Sequence, residues 1–181
     1  MDLTRLPPGM AGQFAAMVRD FIENSRKKYL PSATPLSPEQ KTAMQPFFAP
    51  EVLHRARLLV LRGERVQDPP FYGMARMMGG VKHLPSFADT AAVTFIDVIV
   101  AHEDFSDPLL FHELVHVVQY DQLGSRDFAS RYINGFLQGG SYDEIPLEKN
   151  AYLLERRYRD GKSQVFSVAD EVKQWVEEGK F

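Results

Sequence analysis

The stretch His112-Glu113-Leu114-Val115-His116 sets two imidazoles four residues apart, with a glutamate directly after the first. On a helix, residues at i and i+4 lie one above the other on one face, with Cβ atoms about 5–6 Å apart. Imidazoles placed that way can both reach one metal ion at about 2.0–2.1 Å. Glu113 falls about 100° further round the helix, too far for a third ligand of the same ion. It can still reach a water in the open position of the metal and act as its general base. A chance His-Glu-x-x-His arises in about one per cent of chains of this composition, and here the surroundings are helical. Asp107 suits an N-cap, Pro108 the first helical position and Gly124 the stop. Leu110, Leu114, Val117 and Val118 make the helix apolar enough to be buried. Two histidines and a glutamate without a role would be costly there.

The rest of the chain sets bounds on this reading. Its 181 residues, 44% apolar, suit one domain, 1–181, with a sizeable core. Within it, 10–91 hold amino-terminal helices and part of a sheet, 92–161 the metal-site core and 162–181 a last helix. A net charge of −3 with interspersed signs argues against nucleic-acid or acidic-membrane partners. The absence of cysteine excludes thiolate ligands, a cysteine nucleophile and disulfides. Residues 1–20 lack a charged segment followed by an unbroken apolar core, and no stretch reaches the length of a membrane span, so a cytoplasmic protein is expected.

Taken in order, residues 10–29 read as an amphipathic helix with Phe14, Met17, Val18, Phe21 and Ile22 on one stripe. Arg26, Lys27 and Lys28 fall in its last turn as a solvated, dipole-complementing end. Ser37-Pro38-Glu39-Gln40 is a capping box opening a short helix that ends by Pro46, and Ala49-Pro50-Glu51 begins a further turn. Residues 56–62 read as a strand stopped by Gly63, and residues 67–90 have no clear period. There Met74, Met77 and Met78 are expected to fill gaps in the core, while His54 and His83 are expected to be structural or exposed. Residues 92–101 read as one strand, apolar on both faces, and a strand just before the metal helix could line a cleft and pair with an extended peptide. A central buried strand without a ligand fits the same residues. Beyond Gly124, Ser125 is read as capping a helix over 126–138 that buries Phe128, Tyr132, Ile133, Phe136 and Leu137. Further helices follow from Pro146 to Asp160 and from a cap at Ser167 to near Gly179. The fold class expected is α+β: a small mixed sheet on the metal helix, zincin-like, with more helices after it.

A catalytic zinc takes three protein ligands and keeps one open position. The metzincin continuation fails, because Gln119 and Gln122 stand where it needs a glycine and a third histidine. A downstream carboxylate is the other solution, from Asp121, Asp143, Glu144, Glu148 or Glu155. Asp121 points the wrong way on the same helix. Glu148 opens the 146–160 helix beside Ile145 and Leu147, with Ala151 and Tyr152 on its face, and is favoured by analogy with sites built from two histidines and a glutamate. Glu155, seven residues on, could support a ligand histidine or bridge to nearby arginines on the surface.

The motif His-Glu-Leu-Val-His-Val-Val-Gln, with Tyr142-Asp-Glu-Ile-Pro-Leu-Glu-Lys-Asn-Ala-Tyr152 some thirty residues later, resembles a bacterial family of gluzincin-like zinc metallopeptidases known only as a domain of unknown function. The resemblance covers roughly Thr94 to Asp160. It implies His112, His116 and Glu148 as ligands of Zn2+ and Glu113 as general base, acting on a peptide or protein substrate. The chain departs from the gluzincin pattern at Tyr152, where an aspartate often supports the first histidine, so the partner of that imidazole's second nitrogen stays open. The expected activity is zinc-dependent peptide hydrolysis. Tyr142 is preferred over Tyr152 and His102 as the donor to the oxyanion, against the plainer reading of each tyrosine as a core aromatic. A zinc-binding module without catalysis, and a toxin-like effector domain, are the competing classes.

Overall fold

The structure is a computed structural model that describes residues 10–70, 72, 86–139, 141–161 and 164–181. Met74, Met77, Met78 and His83 lie outside these residues. The architecture is α+β, a four-stranded mixed sheet with helices. Helix α1 (Met10–Tyr29) leads through a 3-10 turn to β1 (Thr34–Pro35), then α2 (Pro38–Met44), α3 (Pro50–Arg55) and β2 (Arg57–Val60). Strands β3 (Ala92–Phe95) and β4 (Val98–Ala101) precede the long helix α4 (Asp107–Gly139), and α5 (Pro146–Asp160) and α6 (Val168–Glu177) close the chain.

Local chemistry explains most of these boundaries. The Ser37 hydroxyl accepts from the Gln40 amide while the Gln40 side chain accepts from the Ser37 amide, the reciprocal capping box expected. Ser167 caps α6 by accepting from the Asp170 amide. Two caps differ from expectation. Asp107 is already helical, and the Ser106 carbonyl accepts the first bond of α4, from Leu110 at 2.9 Å. Gly124 does break α4, with φ 71° and ψ 164°, a left-handed φ that suits glycine. Ser125 just beyond it donates to Glu23 of α1 at 2.8 Å instead of capping the second half.

The stretch 92–101 is a correction. It forms two strands joined by a two-residue turn at Ile96-Asp97, not one strand. The turn is held from outside: the Asp97 carboxylate receives both Arg26 Nε at 2.5 Å and Arg26 Nη2 at 2.9 Å. Arg26 is therefore no solvated helix end, although Lys27 and Lys28 are exposed. Ile96 sits at φ 64°, a costly backbone for a β-branched residue, carried by the packing around it. The sheet order is β1-β2-β4-β3, with β2 parallel to β4 and the other pairs antiparallel. Strand β4 is buried along its whole length, whereas β3 lies at an edge.

Two apolar clusters flank α4. Phe47, Phe48, Phe111 and Tyr158 form one, with the Phe111 and Tyr158 rings stacked at 4.5 Å. Val18, Ile22, Tyr29, Phe95 and Phe128 belong to the other. From the stripe expected on α1, Val18 and Ile22 are buried, Phe14 and Phe21 partly so, and Met17 faces out at 39% exposure. Gly135, in the second half of α4, lets α5 approach: a Cβ there would stand 2.5 Å from the Pro146 ring. That contact seats the first turn of α5, which carries Glu148. Among the described residues, no helix is long and apolar enough to cross a membrane.

Candidate metal centre

His112, Glu113 and His116 lie on residues 107–123 of α4, in a stretch buried from Leu110 to Tyr120. Glu148 comes from the first turn of α5, and all four side chains are at least 95% buried. The structure brings three of them to one point. His112 Nε2 and His116 Nε2 are 3.2 Å apart, and Glu148 Oε2 is 3.4 Å from each. A tetrahedral ion bound at about 2.0–2.1 Å holds its ligand atoms about 3.3–3.4 Å apart, so this triangle has the size such an ion requires.

The tautomers are set from behind. Gln119 Nε2 donates to the Leu147 carbonyl at 3.0 Å and to Asn150 Oδ1 at 2.9 Å. Its Oε1 therefore faces His116 and accepts the Nδ1 proton at 2.9 Å. Glu155 Oε2 accepts from His112 Nδ1 at 3.2 Å. Glu155 thus supplies the support that Tyr152 cannot, while its other oxygen lies 3.5 Å from Arg159. With both Nδ1 protons committed, both Nε2 atoms present lone pairs to the same point. Glu148 Oε2, buried and without a hydrogen-bond partner, faces it too. Three electron-rich atoms converging in a buried site suit a cation between them.

Electrostatics point the same way. Burial opposes charge on His112, yet Glu148 and Glu155 outweigh it and push its pKa up to about 10. Burial likewise opposes charge on His116, and Glu148 again outweighs it. For Glu148, burial alone would raise the pKa, but the two imidazoles pull it well below the ordinary carboxylate range. The cluster stabilises positive charge at its centre. Two imidazoles and a carboxylate are donors for a first-row transition metal rather than for calcium or magnesium.

Glu113 stands apart from the triangle, as its position on the helix requires. Its Oε2 accepts from the Thr94 hydroxyl at 2.6 Å, which ties it to the edge strand β3. Beside it opens a pocket of about 600 Å³ of empty space, its open mouth included, with Glu113, His116 and Glu148 in its wall. The Tyr142 side chain lines the same pocket. Burial first, then the Glu148 charge, push its phenol well above the usual range. Tyr152 is 46% exposed and lays its ring against His112, centroids 4.5 Å apart. His102 is not at the site: its Nδ1 donates to the Thr90 carbonyl at 2.7 Å and its Nε2 accepts from the Val66 amide at 3.0 Å, pinning the 61–70 segment to the end of β4. Asp121 pairs with Arg55 and Glu144 with Lys149, both away from the triangle.

Sequence reasoning missed Thr94, Gln119 and Asn150. Gln119 left a signal, an amide three residues after His116 on a face of the helix that is otherwise apolar. The others are brought in by tertiary packing. No protein-family model matches the chain, no curated protein matches its sequence, and no solved structure matches its fold. The resemblance to gluzincin-like peptidases therefore rests on the two motifs alone.

Proposed function

We propose that the chain is a zincin-like, zinc-dependent hydrolase that cleaves peptide bonds. The observation that carries this reading is the triangle of His112, His116 and Glu148 with a separate carboxylate, Glu113, held beside it at the wall of a pocket. A site that only stored metal would have no use for a second buried acid aimed elsewhere. Zinc, when bound, supplies an acidified water and a Lewis acid for the scissile carbonyl.

The protein's own groups do the rest. Thr94 occupies Glu113 Oε2, leaving Oε1 to take the proton of the attacking water and return it to the leaving amine nitrogen. Gln119 and Glu155 hold the imidazoles so that Nε2, not Nδ1, faces the ion. Tyr142 lines the pocket, which supports its reading as a donor to the substrate. An extended peptide is the substrate shape that suits the edge strand. Phe95 and Val98 flank the turn as a hydrogen-bonded pair, so Ala92 and Thr94 aim their amide groups away from β4. The Thr94 carbonyl is taken by the Tyr120 hydroxyl at 3.3 Å, which leaves the Ala92 end of β3 for pairing.

The test is a peptide library incubated with zinc-loaded wild type and Glu113→Gln, with products read by mass spectrometry. The variant keeps its zinc and loses about 10²–10⁴-fold in rate. Equal cleavage by both proteins contradicts the assignment of Glu113. A wild type that binds zinc and cleaves nothing contradicts the peptidase reading.

A further inference from the structure

The hydroxyl of Tyr132 is buried without a hydrogen-bond partner, and Tyr132 lines the same pocket as Glu113, His116 and Glu148. It comes from the half of α4 beyond the Gly124 break, whereas Glu113 comes from the half before it. The neighbouring phenol of Tyr120 is not in this position, since its hydroxyl already donates to the Thr94 carbonyl. A phenylalanine would give the same packing against Phe128, whose ring stacks on Tyr132 at 6.3 Å, and would leave no orphaned hydroxyl. The orphan asks for an acceptor that arrives from outside the chain.

The pocket limits what that acceptor can be. Among the described residues no lysine or arginine lines it, and the acidic ones are Glu113, whose Oε2 is taken by Thr94, and Glu148, which faces the two imidazoles. Burial first, and the charge of Glu148 next, hold the Tyr132 phenol well above its ordinary pKa, so it stays a donor. In peptide hydrolysis the water oxygen must face the base, Glu113, and the carbonyl oxygen gains negative charge on another side. A buried donor from a different helical half, lining the same pocket as Glu148, suits that second oxygen.

We propose that the Tyr132 hydroxyl is a catalytic hydrogen-bond donor, contacting the substrate carbonyl oxygen and holding it as charge builds there. This rests on the peptidase reading above. No bond to Tyr132 forms or breaks, and its proton stays on the phenol. The test compares wild type, Tyr132→Phe and Tyr142→Phe in zinc content, unfolding temperature with and without metal, kcat and KM on a cleaved peptide, and affinity for a phosphonamidate peptide whose tetrahedral anion copies the developing charge. Tyr132→Phe is expected to keep its zinc and its unfolding temperature in both forms. It loses about 10²-fold in kcat with little change in KM, and a parallel factor in phosphonamidate affinity. Wild-type kcat and phosphonamidate affinity in Tyr132→Phe would overturn the proposal, and a lowered metal-free unfolding temperature beside them would assign the hydroxyl to an internal water. An effect of that size in Tyr142→Phe alone would overturn it in favour of Tyr142. Failure of the peptidase reading looks different, because the wild type itself then neither cleaves peptide nor binds the phosphonamidate.

Discussion

Gln119 uses its whole side chain inside the protein: two N–H bonds go to Leu147 and Asn150 of α5, and its carbonyl oxygen goes to His116. It therefore couples the orientation of one ligand to the helix that carries another. Gln119→Leu keeps the bulk, frees His116 to choose its tautomer and strands the buried Asn150 amide oxygen on α5. The expected result is zinc affinity lowered by about 10–100-fold, read by competition with a chromogenic chelator. Gln119→Glu, which still accepts from Nδ1, should retain more of it. At this scale the sequence was informative where spacing alone decides chemistry. His112, Glu113 and His116 were singled out by helical spacing, whereas Glu148 was favoured among several carboxylates only by analogy with sites built from two histidines and a glutamate and by the resemblance. Glu155 could not be separated from a surface salt bridge, because it is both: one oxygen holds His112 and the other lies near Arg159. Thr94 and Tyr132 left no local signal, since a threonine in a strand and a tyrosine on a buried helix face are ordinary residues until tertiary packing puts them in the wall of one pocket with Glu113 and Glu148.

At the scale of elements, the site depends on how α5 docks on the second half of α4. Gly135 faces the Pro146 ring with no room for a methyl group, and neither a proline ring nor the adjacent Ile145 backbone, 3.5 Å from the same point, can easily give way. Gly135→Ala gains helix propensity, worth up to about 1 kcal/mol in an exposed helix, but forces α5 outward. The overlap outweighs that gain. The expected outcome is a net loss of about 1–3 kcal/mol in urea unfolding, together with weaker zinc binding, because Glu148 rides on the displaced turn. Zinc affinity equal to that of wild type would mean that α5 is seated from elsewhere. Helix boundaries were the most legible part of the chain, being written in short-range signals such as the Ser37 box, the Ser167 cap and Gly124. The turn at Ile96-Asp97 was not legible. Isoleucine is a strand former and a poor residue for positive φ, and only Arg26, 71 positions earlier, explains why the chain turns there.

The whole molecule ties the metal point to its stability. The three ligand atoms come from two helices, so an ion that binds them favours the folded state over the unfolded chain. At a free zinc concentration about 100 times Kd the gain is about 2.7 kcal/mol, and a domain of this size moves by about 2–4 °C per kcal/mol. Removing metal with a chelator should therefore lower the unfolding temperature by about 5–11 °C, and His116→Ala should show no such shift. The α+β class could be read from the order of strand and helix signals, but the sheet order could not. Pairing β2 with β4 joins segments about forty residues apart, and nothing local marks their register. The central claim is that His112, His116 and Glu148 hold one zinc ion. The measurement that reaches it most directly is equilibrium dialysis against zinc, with metal content read by mass spectrometry, for wild type beside His116→Ala. One zinc per chain in the wild type, and markedly less in the variant, is the result expected. No bound zinc in the folded wild type, or equal zinc in both proteins, would contradict it.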